Sequence, residues 1–163
     1  MTTTPPDDMF LLRQTLGIAR QARRNGKHPF GALLAGPDGA VLMEQENGFD
    51  LEGRVGHAET ILARRAAQAF TAEALQATTM YASAEPCAMC AGTIYWAGIG
   101  RVVYALSEHK LKGLIGPHPD NLTLDLPCRA VFAAGQRAVE VIGPLAEDDP
   151  EAVGLHEGAW THD

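Results

Sequence analysis

Residues 77–106 read ATTMYASAEPCAMCAGTIYWAGIGRVVYAL. Residues 77–82 form a short strand-like run, and residues 101–106 (RVVYAL) are rich in the β-branched and aromatic types that fit a pleated, half-buried surface. Between them, residues 87–96 read as a helix entered through Glu85-Pro86. Proline near a helix start fits, because its missing N–H is one of the donors a helix leaves unpaired there.

Working outward, residues 57–70 are Ala-rich with Ile61, Leu62, Ala66 and Ala69 on one side, which predicts a helix starting at about His57. Residues 53–56 are loop. Upstream, Met9, Leu12, Leu16 and Ala19 recur at helical spacing, so residues 8–24 read as a first helix, with Asp7 or Asp8 as cap and Asn25-Gly26 as its end. The apolar run 32–35, the turn Pro37-Asp38-Gly39 and residues 40–45 make a hairpin. The order α-β-β-α-β-α-β is that of a layered α/β sheet with helices on its faces. Downstream of Ser107 the signals are sparser: a short helix within 127–135, a last strand at 139–142, and a C-terminal helix or ordered tail over 148–160.

The whole chain, 1–163, reads as one domain, with 46% hydrophobic and 20% charged residues. No apolar run approaches the ~18 residues of a membrane span. The polar, acidic start at residues 1–8 lacks the basic and apolar stretches of a secretory signal, so a cytoplasmic location is expected. Three cysteines with one Cys-x-x-Cys pair make a poor disulfide framework, and in a reducing compartment such a pair reads as a metal or redox site. The net charge of −7 disfavours a nucleic-acid partner, whose affinity rests on Lys and Arg contacts to phosphates. It leaves a small neutral substrate open.

Two fragments carry chemistry: His57-Ala58-Glu59 and Pro86-Cys87-Ala88-Met89-Cys90. Each stands at a predicted helix start. One imidazole and two thiolates suit a zinc ion and leave its fourth position open, as a catalytic zinc requires. Cys87 and Cys90, three residues apart, face the same side of their helix. The helix start also favours thiolate over thiol. Glu59, two residues from His57, is expected beside the metal without binding it, where a carboxylate can move protons. Alternatives stand beside this reading. The cysteines alone fit a redox pair or buried apolar residues, and a structural zinc would draw a fourth ligand from Cys128, His109 or His118. His28 reads as structural or pocket-lining, His109 and His118 as solvent-facing or pocket-shaping, and Cys128 as a small buried hydrophobe.

At these residues the sequence resembles the cytidine deaminase superfamily, and within it the branch of bacterial guanine deaminases and tRNA adenosine deaminases. The resembling stretch covers about half the chain. It comprises His28-Pro-Phe-Gly-Ala32, Asn47, His57-Ala-Glu-Thr60, Glu85-Pro-Cys-Ala-Met-Cys90, and Ile94-Tyr-Trp-Ala97 leading into Arg101-Val-Val-Tyr104. The resemblance implies a three-layer α/β/α sandwich with a central mixed five-stranded sheet, and a homodimer. It implies one Zn2+ per chain on His57, Cys87 and Cys90, with Glu59 as proton shuttle. It further implies that Asn47 and the Ala58 N–H bind the base, while Phe30 and Trp96 line the pocket. Read from the residues alone, Phe30 and Trp96 are equally core aromatics, and Asn47-Gly48 a plain turn.

The expected function is zinc-dependent hydrolytic deamination of a nucleobase, guanine to xanthine first. Another small aminated heterocycle or nucleoside is the runner-up, tRNA adenosine is disfavoured by charge, and a non-catalytic zinc module comes last. The acidic segment 145–163 has no Lys or Arg and ends near Trp160, an aromatic costly to leave in solvent. Residues 155–160 are expected to fold over the pocket, with His156 or Glu157 near substrate. The alternative is that Trp160 packs on the chain's own surface or at a dimer contact.

Overall fold

The computed structural model describes residues 6–160; the first five residues of the polar start and the last three of the acidic tail lie outside the described residues. Helix α1 (Asp8–Arg24) begins where Asp7 accepts from the Phe10 N–H at 3.1 Å. Asp8 takes another role: it pairs with Arg101 at 2.6 Å and accepts from the Tyr81 hydroxyl at 2.7 Å. Strands β1 (Gly31–Ala35) and β2 (Val41–Glu46) form the hairpin. Helix α2 (Phe49–Glu52) and a 3-10 turn (Gly53–Val55) lead into α3 (Ala58–Ala69). Then follow α4 (Ala72–Leu75), β3 (Thr79–Ala84), α5 (Ala88–Ala97), β4 (Arg101–Leu106), α6 (Glu108–Ile115), α7 (Cys128–Ala133), β5 (Glu140–Ile142) and α8 (Pro150–Gly154).

The five strands form one mixed sheet in the order β2-β1-β3-β4-β5. β1 pairs antiparallel with β2 and β3, whereas β3–β4 and β4–β5 are parallel. Strand side chains alternate between faces, and the two cores follow that alternation. Ala32, Leu34, Met80, Ala82, Val102 and Tyr104 face α3, α5 and α7. Leu33, Ala35, Tyr81, Val103 and Ala105 face α1 and the segment around α8. The architecture is therefore the expected three-layer α/β/α sandwich. From α1, Leu11, Leu12 and Leu16 are buried, each worth roughly 1.5–3 kcal/mol.

The sheet and its packing place the site. Helices α3 and α5 lie together on one face through small buried residues, Ala58, Ala63, Ala66 and Ala91. That close approach brings their N-termini together at one end of the sheet. Helix α5 stops at Gly98, whose φ of 105° lies in the left-handed region, and the chain turns directly into β4.

Candidate metal centre and active site

His57 and Cys87 are the N-cap residues of α3 and α5, and both have extended backbone. Neither side chain caps its own helix, so both are free to meet. Cys90, one turn into α5, joins them. The Nδ1 of His57 is 3.4 Å from Cys87 Sγ and 3.5 Å from Cys90 Sγ, and the two sulfurs are 3.6 Å apart.

These separations test the fit to zinc. Zn–S bonds of ~2.3 Å and Zn–N bonds of ~2.05 Å at tetrahedral angles put S and S about 3.8 Å apart and S and N about 3.6 Å apart. The triangle matches to within a few tenths of an ångström. Among the described residues, these three are the only His, Cys, Asp or Glu whose ligand atoms cluster in this way. The fourth-ligand candidates lie elsewhere. Cys128 is buried in the core and its N–H donates to Glu85. His109 is exposed and pairs with Asp125 at 2.9 Å. His118 lies edge-on to the Trp160 ring. A three-ligand zinc with an open position is what the residues fit. Thr60 Oγ1 donates to Cys90 Sγ at 3.1 Å, which opposes the burial and the neighbouring Cys87 that push the Cys90 thiol well up in the absence of metal. Cys87 is held down, to about 4, by the hydrogen bond from Cys90 and by His57.

Glu59 is buried on the first turn of α3, with Oε2 3.6 Å from Cys90 Sγ. It lies beside the metal triangle but outside it. Burial pushes its carboxyl up to about 7.

A cavity of about 210 Å³ opens onto this cluster. Phe30, Asn47, His57, Glu59, Cys87 and Glu108 contribute to its wall, and among the described residues no Lys or Arg lines it. Asn47 is buried, and its Oδ1 accepts from the Phe49 N–H at 2.9 Å. The carbonyl end is thereby used in the turn, leaving the amide N–H donors for the cavity. Asn47 is thus both a turn residue and a pocket residue. Ala58 is the first residue of α3, so its N–H has no partner within the helix.

Trp96 is a correction. Its side chain is 85% exposed and is absent from the cavity wall. Helix α5 turns Cys90, Ala91, Ile94 and Ala97 inward. Trp96, two residues past Ile94, therefore points about 200° away, where its ring meets Tyr95 edge-on.

The tail is a second correction. Trp160 is buried but does not line the cavity; its ring packs at 5.8 Å from Phe30 and 4.6 Å from His28. His156 stacks beneath it and accepts from Trp160 Nε1 at 3.1 Å. Glu157 is exposed, and its carbonyl accepts from Arg23. The described tail backs the wall of the cavity, because Phe30 offers it an apolar surface. The expected lid with His156 or Glu157 at the substrate is not what these residues form.

Several residues that shape the cavity carry no signal of that role in the sequence. The sequence marks Glu85 only as part of a motif. It spans two helix starts, Oε1 accepting from the Glu108 N–H and Oε2 from the Cys128 N–H, each at 2.9 Å. Glu108, Asn121, Leu122 and Leu124 come from α6 and the irregular segment after it, and no periodic pattern announced them. The Ser107-Glu108 pair, a cap residue followed by an acid, was the one available signal for α6.

Comparison with known proteins agrees with this site. Residues 5–106, well over half the chain, match the family described as the cytidine and deoxycytidylate deaminase zinc-binding region. A probable cytosine deaminase of Schizosaccharomyces pombe is 35% identical over 153 residues, spanning 94% of this chain and 92% of that protein. Guanine deaminase of Bacillus subtilis is 40% identical over 82 residues, 50% of this chain and 51% of its own. Among solved structures, a variant of NE0047 in complex with 8-azaguanine has a TM-score of 0.74 at 25% identity, covering 94% of this chain and 84% of that one. With its metal triangle at two helix starts, a carboxyl beside it and this match, the chain belongs to the cytidine and deoxycytidylate deaminase family of zinc-dependent deaminases.

Proposed function

We propose that this protein hydrolytically deaminates a free nucleobase. The observation that carries the reading is the cavity: about 210 Å³, below the ~300 Å³ at which pockets for drug-sized ligands begin, and without a cation to hold a phosphate. Such a space suits a single heterocycle. Bound zinc would act as a Lewis acid that lowers the pKa of water. Glu59 takes one proton of the attacking water and gives it to the ring nitrogen beside the amino-bearing carbon, then takes the remaining hydroxyl proton and gives it to the leaving amine, so that the carbonyl forms as ammonia departs. The Asn47 amide and the Ala58 N–H donate to acceptors on the heterocycle, and Phe30 supplies an apolar wall for its ring.

Guanine is the base the sequence motifs favour, and a relative in complex with 8-azaguanine shares the fold. Cytosine is the second reading, favoured by a specific observation: the relative that aligns over 94% of the chain is a probable cytosine deaminase. Both bases carry the N–C–NH2 unit that the chemistry needs. A homodimer belongs to the same proposal, supported by the exposed Trp96, and sedimentation velocity reads it. Ammonia release from guanine, cytosine, adenine, their nucleosides and a tRNA tests the function. Turnover of a free base is expected. Turnover confined to the tRNA or to nucleosides would overturn the reading.

A further inference from the structure

Glu108 lines the same cavity as His57, Glu59 and Asn47, yet it plays no part in the metal site. It is the first residue of α6 and is 4% exposed. Its position is fixed by its backbone: the N–H donates to Glu85 at 2.9 Å, and Glu85 is itself anchored to Cys128. Its carboxyl is different. Among the described residues, no N–H or O–H donates to it and no Lys, Arg or His pairs with it, whereas Glu85 uses both of its oxygens.

A carboxyl that opens into a cavity and has no protein partner is costly unless solvent or a ligand there supplies one. Groups of this kind are kept for a ligand or are replaced by apolar side chains of the same volume. Burial, with Cys87, Glu59 and Glu85 nearby, pushes Glu108 up to about 9. A protonated carboxyl presents one donor and one acceptor side by side. That pair complements an N–H next to a C=O, the lactam edge of an amino-oxo heterocycle. Asn47, with its two amide N–H donors, cannot supply the acceptor half of such a pair.

We propose that Glu108 is the specificity residue of this site, its carboxyl pairing with the lactam edge of the bound base and so selecting bases whose ring N–H beside the carbonyl is unsubstituted. The assignment rests on the nucleobase reading above. Cytosine carries this edge at N1–H and C2=O, and guanine at N1–H and C6=O. Methylation at N1 abolishes it in either base, as does the glycosidic bond in cytidine.

The test is steady-state ammonia release by the zinc-loaded wild type, Glu108→Ala, Glu108→Leu and Glu108→Gln. The substrates are cytosine, guanine and their N1-methyl derivatives. Wild type is expected to prefer the parent base over its N1-methyl derivative by at least about 100-fold in kcat/KM, since a site that hydrogen-bonds its substrate rejects the blocked analogue strongly. In the Ala and Leu variants the parent base should lose about 10- to 100-fold and the preference should collapse. The Gln variant, whose carboxamide also offers a donor and an acceptor, should restore the preference. Thermal unfolding separates this from a structural role: removal of an unpaired buried carboxyl should leave Tm unchanged or raise it. Unchanged preference in Glu108→Ala, a lowered Tm or an insoluble Ala variant would each overturn the assignment while wild-type turnover of a base stands. Absence of ammonia from every base with the wild type would overturn the nucleobase reading, and this assignment with it.

Discussion

His156 makes the stability of this protein depend on pH in a way that can be calculated. The imidazole is buried, and its Nδ1 accepts from the Trp160 indole at 3.1 Å. The proton of the neutral ring is therefore on Nε2, which has no partner among the described residues. A second proton would set an N–H against the indole N–H. Burial and the nearby Arg23 charge lower the pKa from its ordinary value of 6.5 to about 4. The unfolded chain takes up a proton as pH falls through about 6.5, while the folded chain does not until about 4. Stability is thus fully present above about pH 6.5 and is lost between there and about pH 4. At ~1.4 kcal/mol per pH unit, the full loss is about 3 kcal/mol, and roughly 2 kcal/mol of it falls between about pH 7.5 and pH 5. The assay is urea unfolding at several pH values for wild type and for His156→Gln, whose amide oxygen still accepts from Trp160 but does not titrate. His28, His57 and Glu59 titrate in both proteins and cancel in the difference. The wild-type curve should fall below the variant's by about 2 kcal/mol over that interval, after the two are matched at the high-pH end. Parallel curves would refute the neutral, buried His156.

The remaining predictions concern the site. Cys90→Ala should reduce bound zinc from about one per chain to near none and lower Tm, because metal binding is coupled to folding; metal analysis showing full occupancy would remove Cys90 from the ligand set. Glu59→Gln should keep zinc and fold but lose at least about 10⁴-fold in kcat, since one carboxyl serves several proton transfers; activity within tenfold of wild type would dismiss it as the shuttle. Asn47→Ala should cost about 10- to 100-fold in kcat/KM with zinc retained; an unchanged value would leave Asn47 only its hydrogen bond to the Phe49 N–H.

Much of this was legible in the sequence because it is local. The bounds of α1 and β4 follow from periodicity and caps, and the metal ligands from two short motifs at helix starts. The rest depends on contacts between distant segments. Helix α6 escaped notice because Gly113 interrupts its apolar pattern and Gly116-Pro117 closes it early. Helices α2 and α4 are single turns with too few residues for a period. Trp96 was misplaced because motif membership does not say which side of a helix a residue occupies, and the inward side of α5 is already filled by Cys90, Ile94 and Ala97. The tail was misread for a similar reason: an acidic, aromatic segment gives no indication of whether it meets the mouth of a cavity or the back of Phe30.

The arginines of α1 set an order in time. Arg13 pairs with Asp149 and Glu151, Arg20 with Glu151, and Arg23 with the carbonyls of Leu155 and Glu157. The Arg13–Asp149 partners are 136 residues apart. At ~5–20 residues per second, a ribosome takes on the order of ten seconds to make the second partner after the first. During that interval α1 carries a row of unneutralised arginines, and Phe30 lacks the Trp160 ring behind it. The metal ligands and Glu59 are already synthesised, so the catalytic groups precede the support of their cavity wall. A nascent chain is consequently at its most basic and least shielded early in translation, and the acidic segment made last is what neutralises it.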